Sequence, residues 1–114
     1  MNNDLYELLV KKLGMIFPNT TTREKVIEIL SRYGTEPYEQ EIVRVQLDIL
    51  KLAEGSIEDI ERWVTVAKKD YRDVLASAEY PGQLLAPTWR MSKADVNKIQ
   101  TTDRNQYEEW LNKE

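Results

Sequence analysis

The residue types that carry most protein chemistry are unevenly represented in this chain. Its 114 residues include no histidine and no cysteine, and these two types supply most near-neutral bases, thiolate nucleophiles and tight transition-metal ligands. A Ser-His or Cys-His catalytic pair and a cysteine zinc site are therefore excluded. The remaining candidates for catalysis are carboxylates, because Asp and Glu side chains on neighbouring helices can hold Mg²⁺ for phosphate chemistry.

Three pairs of acidic residues stand three positions apart and loosely resemble the ExxE and ExxD pairs of all-helical nucleotide pyrophosphohydrolases. The pairs are Glu36 with Glu39, Glu58 with Glu61, and Asp70 with Asp73. At about 100° per residue, the last four acids lie roughly 80–160° from the centre of their helix's apolar stripe. We therefore expect solvated or dipole-complementing carboxylates, with no metal ligand, no cofactor and no catalytic residue. A Mg²⁺-dependent phosphohydrolase is the alternative.

Two other groups of side chains could form a binding surface. Arg72 and Glu79 lie two turns apart on one flank of a predicted helix, and Trp89, Tyr107 and Trp110 occupy the less regular C-terminal third. Arginine and aromatic side chains anchor many protein interfaces. The same aromatic rings could instead hold the C-terminal segment against the core. These five residues are the predicted protein-binding candidates, and both interpretations of the aromatic residues stay open.

Charge and hydropathy narrow the classes of partner. The net charge is −4, and the basic residues near the C-terminal aromatics are balanced by acids, so we expect no nucleic-acid partner. The apolar runs are too short for a membrane span, and the chain does not start like a signal peptide. We expect a cytoplasmic protein that does not bind membranes.

Apolar residues recur at three- and four-residue steps along most of the chain, which predicts helices. The predicted helices cover residues 3–13, 21–34, 37–54 and 56–80. The helix over residues 37–54 has apolar residues on two sides, including Tyr38, so we place it at the centre of the fold. In the helix over residues 56–80, Ser56 is the predicted N-cap and Trp63 lies on the buried stripe.

The C-terminal third follows a weaker pattern. Residues 83–91 include Leu84, Leu85 and Trp89 around a proline, so we predict an irregular segment that packs over the core. Ser92 can cap a short helix. One continuous helix would place Asp103 on its apolar face, so we predict a break near residue 101 and a last short helix after it.

Three segments resemble a family of small bacterial helical proteins to which no activity is assigned. They are VQLDILKLAEG at residues 45–55, KDYRDVLA at residues 69–76 and AEYP at residues 78–81, and the similarity extends to the end through residues 103–111. The resemblance implies a bacterial, cytoplasmic, helical protein and no particular chemistry.

These patterns together predict a single all-α domain over residues 1–114, with five or six helices in an antiparallel bundle-like arrangement. No nucleophile and base pair and no phosphate-binding loop is recognisable, so we expect a non-catalytic protein-interaction module. One form of such a module is an immunity- or antitoxin-like protein that neutralises a basic partner. The partner would be another protein, and a homo-oligomer is also compatible with the sequence.

Overall fold

The computed structural model describes residues 3–113, which form seven α-helices and one 3₁₀ turn in a single compact globule. The helices are α1 (Asn3–Ile16), α2 (Thr20–Leu30), α3 (Ile42–Ala53), α4 (Ile57–Lys69), α5 (Tyr71–Glu79), α6 (Pro81–Leu85) and α7 (Lys93–Asn112), and the 3₁₀ turn is Thr88–Arg90. The all-helical prediction is confirmed. None of the helices within residues 3–113 is both long and apolar enough to cross a membrane.

Helix α3 lies at the centre, as its two apolar sides predicted. It packs against α1, α4 and α5, while α2 packs against α4. Val45, Leu47, Ile49 and Leu50 are almost completely buried. Because α3 has core contacts on several sides, its polar side chains also lie close to the core, and this placement matters for the site described below.

The predicted start of α3 at Pro37 is wrong, because the helix begins at Ile42. Residues 35–41 are held in turns by the buried carboxylate of Glu39, which accepts hydrogen bonds from the backbone amides of Gly34 and Thr35 at 2.8 and 3.0 Å. The Nζ of Lys68 donates to the same carboxylate at 2.7 Å. This local network competes with helix formation, and it leaves Tyr38, predicted to face inward, 66% exposed.

The predicted helix over residues 56–80 is divided at Asp70. Asp70 has an extended backbone (φ −159°, ψ 103°) and its side chain accepts a hydrogen bond from the Arg72 amide, so it ends α4 and caps α5. Aspartate is a favoured N-cap, and this preference outweighs the continuous apolar stripe. The Ser56 cap is confirmed, since its hydroxyl accepts from the Asp59 amide at 3.2 Å. Trp63 packs against the core but is only half-buried.

The first two helices also differ from the predicted bounds. Helix α1 continues through Gly14 to Ile16, which is tolerable because a glycine costs a helix only about 1 kcal/mol relative to alanine. Helix α2 begins after Asn19, whose side chain accepts from the Thr22 amide at 3.0 Å, and ends at Leu30 rather than at residue 34.

The predicted break near residue 101 is wrong, because α7 runs without interruption from Lys93 to Asn112. Asp103 does lie on the inner side and is buried. Its carboxylate accepts hydrogen bonds from the backbone amides of Gly82 and Gln83 at 2.8 and 3.0 Å, so it satisfies the first turn of α6. The Ser92 cap is confirmed by the 3.2 Å hydrogen bond from the Asp95 amide.

Candidate functional site

The five residues predicted to bind a partner do not form one surface. Glu79 and Tyr107 belong to a buried polar cluster between α3, α5 and α7. Trp110 lies against α1, Arg72 pairs within its own turn, and Trp89 stands exposed on the 3₁₀ turn. Each of these four environments implies a different role.

The buried polar cluster is built by Arg44 and Asp48 of α3, Glu79 of α5 and Tyr107 of α7. The guanidinium of Arg44 donates to both oxygens of Glu79, from Nε at 2.8 Å and from a terminal nitrogen at 2.5 Å. The Tyr107 hydroxyl donates to Oδ1 of Asp48. The bidentate Arg44–Glu79 pair has the planar geometry that makes such charge-assisted contacts strong.

Asp48 is the most unusual member of the buried polar cluster. It is 0% exposed, and no donor within residues 3–113 hydrogen-bonds to its Oδ2. Burial, together with a hydrogen bond to Glu79, raises the pKa of Asp48 to about 9. A proton on Oδ2 removes the conflict, because the acid can then donate to Glu79. Asp48 is therefore a neutral carboxylic acid in the folded protein at neutral pH.

Glu79 is the ionised partner in this carboxyl pair. Burial alone would raise the pKa of Glu79, but the hydrogen bonds from Arg44 and Asp48 and the charge of Arg44 hold it below its ordinary value. Two acids in contact cannot both ionise cheaply, so one proton is shared between them while Arg44 balances the remaining charge.

A surface cavity of about 580 Å³ lies beside the buried polar cluster. It is lined by Glu79, Tyr80, Gln83, Gln100, Arg104, Tyr107, Glu108 and Leu111. A solute in this cavity could contact Tyr107 and Glu79, but Asp48 is sealed behind them. The carboxylate of Glu79 is already occupied by Arg44. The buried polar cluster therefore links α7 to α3 and α5, and its own acids are already bound by Arg44 and Tyr107.

Trp110 also stabilises the fold. The ammonium of Lys12, itself buried, lies 4.6 Å from the centre of the Trp110 ring and donates to the carbonyls of Trp110 and Lys113. A cation over an indole face and on the last carbonyls of a helix is favourable on both counts. Trp110 thus holds the C-terminal end of α7 against α1.

Arg72 and Glu79 both lie on α5 with the predicted two-turn spacing, but they bind different partners. The Arg72 side chain is largely exposed and bonds the carboxylate of Asp70 at 2.9 and 3.0 Å, within the turn that starts α5. Arg72, in the first turn of α5, therefore binds the cap at Asp70, whereas Glu79, at the end of the same helix, binds Arg44.

The segment from α6 to the 3₁₀ turn carries the two most exposed large apolar side chains of the described residues, Leu85 and Trp89. Leu84 is 58% exposed, Leu85 is 86% exposed and Trp89 is 82% exposed, and we refer to these three residues as the apolar edge. The prediction that residues 83–91 pack over the core is wrong at these positions. The amides that begin α6 are bound to Asp103, and the helix held in this way leaves both leucines in solvent.

The three carboxylate pairs that resemble hydrolase motifs are separated by the fold. Glu39 caps a turn, Glu61 lies 3.6 Å from Arg32, and Asp70 caps α5. Within residues 3–113 the structure contains no group of three or more acidic side chains arranged to hold a metal ion. These acids have local structural partners instead.

Sequence reasoning missed the residues that organise the interior: Arg44, Asp48, Asp103 and Lys12. Asp48 did carry a signal, because it interrupts the apolar run Leu47–Leu50 on a helix predicted to be central. Its partners come from positions 31 and 59 residues further along the chain, and no local pattern indicates such pairs.

Comparison with protein-family models, with curated proteins and with solved structures gives no match for this chain.

Proposed function

We propose that this protein is a non-catalytic interaction module that binds another protein through the apolar edge. The observation that carries the proposal is the exposure of Leu84, Leu85 and Trp89 within six residues of one another. Covering exposed leucine and tryptophan side chains with a partner removes apolar surface from water and stabilises the complex. Tryptophan is also prominent among the residues that dominate interface energies.

The segment that carries the apolar edge is held in place before any partner binds. Asp103 accepts hydrogen bonds from the first amides of α6, and the side-chain amide of Gln83 donates to the same carboxylate at 3.2 Å. The backbone of Met91 closes the 3₁₀ turn onto Thr88 at 3.2 Å. Little conformational entropy is then lost on binding, and this favours affinity.

The proposal relocates the binding surface relative to the sequence-based candidates. Trp89 is retained. Glu79, Tyr107 and Trp110 have partners within the fold, and Arg72 pairs with Asp70. Leu84 and Leu85 join Trp89 as the proposed contact residues. A bacterial cytoplasmic setting is part of the proposal and rests on the resemblance at residues 45–55 and 69–81.

The first test compares Trp89→Ala with Tyr38→Ala, which removes another largely exposed aromatic ring (66% exposed, against 82% for Trp89) outside the apolar edge. Proteins captured from a bacterial lysate by the unaltered chain and by Tyr38→Ala should be lost with Trp89→Ala. Once a captured partner is purified, we expect its affinity to fall by roughly thirty-fold or more with Trp89→Ala. Both variants should unfold within about 0.5 kcal/mol of the parent, because they change exposed side chains.

Equal capture by all three chains would refute the proposal. Light scattering tests for self-association by measuring the molar mass in solution. A mass of two chains that falls to one in Trp89→Ala would identify the partner as a second copy of this chain.

A further inference from the structure

The five basic and five acidic residues of positions 81–114 balance, but three of these acids lie after position 104. Of the chain's 16 basic and 20 acidic residues, 4 basic and only 2 acidic residues lie within positions 80–104, which leaves 12 and 18 elsewhere. One of the two acids in this segment is Asp103, which is buried under α6 and presents no charge to solvent. The part of the chain that carries the apolar edge is thus positive within a protein that is negative overall.

The basic residues of this segment lie next to the apolar edge. Arg90 follows Trp89, and its guanidinium carbon is 5.1 Å from the centre of the Trp89 ring. Lys93 starts α7 three residues later, where its charge adds to the positive end of the helix dipole. On the other side, Arg104 lines a cavity together with Tyr80 and Gln83, which flank the start of α6.

The same basic residues have no ion-pair partner among residues 3–113. The cations that do form ion pairs are Arg32, in the turn after α2, and residues of α3, α4 and α5. Arg90, Lys93, Lys98 and Arg104 are all exposed. Their charges are consequently available to a partner, whereas most arginines of the remaining surface are already neutralised locally.

We infer that the partner of the apolar edge is a protein whose apolar cleft is bordered by Asp and Glu side chains. This inference rests on the proposed function and specifies the chemistry of the partner. Complementary charge around an apolar contact accelerates association and excludes partners of the wrong sign. A basic partner, as expected of an immunity-like protein, would meet like charge at this edge.

An anionic membrane is the rival ligand for a basic apolar surface, and the remainder of the molecule disfavours it. Outside positions 80–104 the chain carries 18 acidic against 12 basic residues, and exposed acids that come within the Debye length of about 8 Å at physiological salt would be repelled by the negative bilayer. Three large apolar side chains also give a small area for insertion. A protein cleft can cover the apolar edge without bringing the acidic surface close.

The experiment is a selection of random twelve-residue peptides displayed on phage against the intact chain, with three variants selected in parallel. Trp89→Ala tests the apolar edge, Arg90→Glu with Lys93→Glu tests the charge, and Lys25→Glu is a control for a charge change on α2. We expect peptides with apolar residues flanked by Asp and Glu, enriched on the unaltered chain and on Lys25→Glu. Synthetic versions should bind the Arg90→Glu/Lys93→Glu chain roughly tenfold more weakly or worse, and their affinity for the unaltered chain should fall with added salt.

Other outcomes separate this inference from the proposed function. Peptides without an acidic excess that are lost with Trp89→Ala would overturn the acidic partner and leave the interaction function standing. Peptides recovered equally on Trp89→Ala, or no enrichment at all, would overturn both. Cosedimentation with phosphatidylserine vesicles but not with phosphatidylcholine vesicles, lost in Arg90→Glu/Lys93→Glu, would assign the edge to a membrane and overturn the inference.

Discussion

The behaviour of single residues in this protein is dominated by polar groups that are buried with specific partners. Asp48 keeps a proton because it is sealed among α3, α5 and α7 beside Glu79, whereas Glu39 is held ionised by three backbone amides and Lys68. Burial opposes the charged form of both acids, and hydrogen-bond donors decide the result. A buried acid with few hydrogen-bond donors around it, such as Asp48, therefore stays neutral, whereas one with several donors, such as Glu39, is ionised.

The pH dependence of stability should reveal the proton on Asp48. Its pKa is raised from 3.8 to about 9 on folding, so the folded chain holds a proton that the unfolded chain has released. The contribution of Asp48 to the free energy of unfolding is therefore complete below about pH 4 and is lost as the pH rises towards 9. In Asp48→Asn, the amide can donate to Glu79 and accept from Tyr107 at every pH.

Urea unfolding of the two chains at several pH values between 5 and 9 is the measurement. We expect Asp48→Asn to become increasingly more stable than the parent as the pH rises. Asp73→Asn, an exposed acid on α5, is the control and should give a profile parallel to that of the parent. Parallel profiles for Asp48→Asn and the parent would show that Asp48 carries no proton in the fold.

At the scale of elements, α6 and α7 depend on each other. Helix α6 is one of the shortest in the fold and has no side-chain cap of its own, so Asp103 of α7 takes that role. The close approach requires glycine at position 82: a Cβ there would lie 2.7 Å from Oδ1 of Asp103 and 3.1 Å from Cγ2 of Ile99. The apolar edge is positioned by this contact between two helices.

Two glycine substitutions should have opposite effects. Gly82→Ala introduces a methyl group against a carboxylate that cannot move without losing its hydrogen bonds, so we expect a loss of about 1–3 kcal/mol in the free energy of unfolding. Gly14→Ala, in the interior of α1, meets no atom within 4 Å and should gain up to about 1 kcal/mol from helix propensity. Thermal and urea unfolding measure both. A neutral Gly82→Ala would show that α6 is not packed against Asp103.

At the scale of the whole molecule, α7 is attached through partly buried Trp110 and Leu111 and through a set of polar contacts. Apart from the cap on α6, Gln106 donates to the Ala78 carbonyl at 3.0 Å, Tyr107 donates to Asp48, and Lys12 of α1 binds the carbonyls at its end. Asp103 is the only residue of α7 that is fully buried. The last helix thus completes hydrogen bonds for groups that the rest of the fold has already buried.

Removal of α7 should therefore lower the free energy of unfolding by more than the loss of its apolar contacts alone would. A chain ending at Ser92 leaves Lys12 and the start of α6 without partners and opens the cluster around Asp48, at about 1–3 kcal/mol for each unsatisfied group. Since small domains are stable by only about 5–15 kcal/mol, we expect this chain to lose its cooperative thermal transition. Tyr107→Phe, which removes one hydroxyl from the full chain, should still melt cooperatively at a lower temperature.

A truncated chain that melts within a couple of degrees of the parent would contradict this expectation. In that case α7 would be dispensable for the fold, and the buried polar cluster would have a role other than attaching it.

Local sequence patterns determined the helical class of this protein, the central position of α3 and the caps at Ser56 and Ser92. Apolar spacing and capping act within a few residues, so they can be recognised without knowing the neighbours. The start of α3 and the break at Asp70 were missed because an inward Glu39 and a side-chain cap outweighed a continuous apolar pattern.

Only the tertiary structure decided which of the candidate side chains are exposed. The sequence pattern places Asp103 on the apolar face of a continuous helix, which predicts a break. In the structure its carboxylate accepts hydrogen bonds from the amides of α6, 20 and 21 residues away, so the helix continues. The same contact leaves Leu84 and Leu85 in solvent, whereas their apolar character alone predicted burial. Whether a polar group is tolerated inside, or an apolar one left outside, depends on partners distant in the chain, and a single sequence does not contain that pairing.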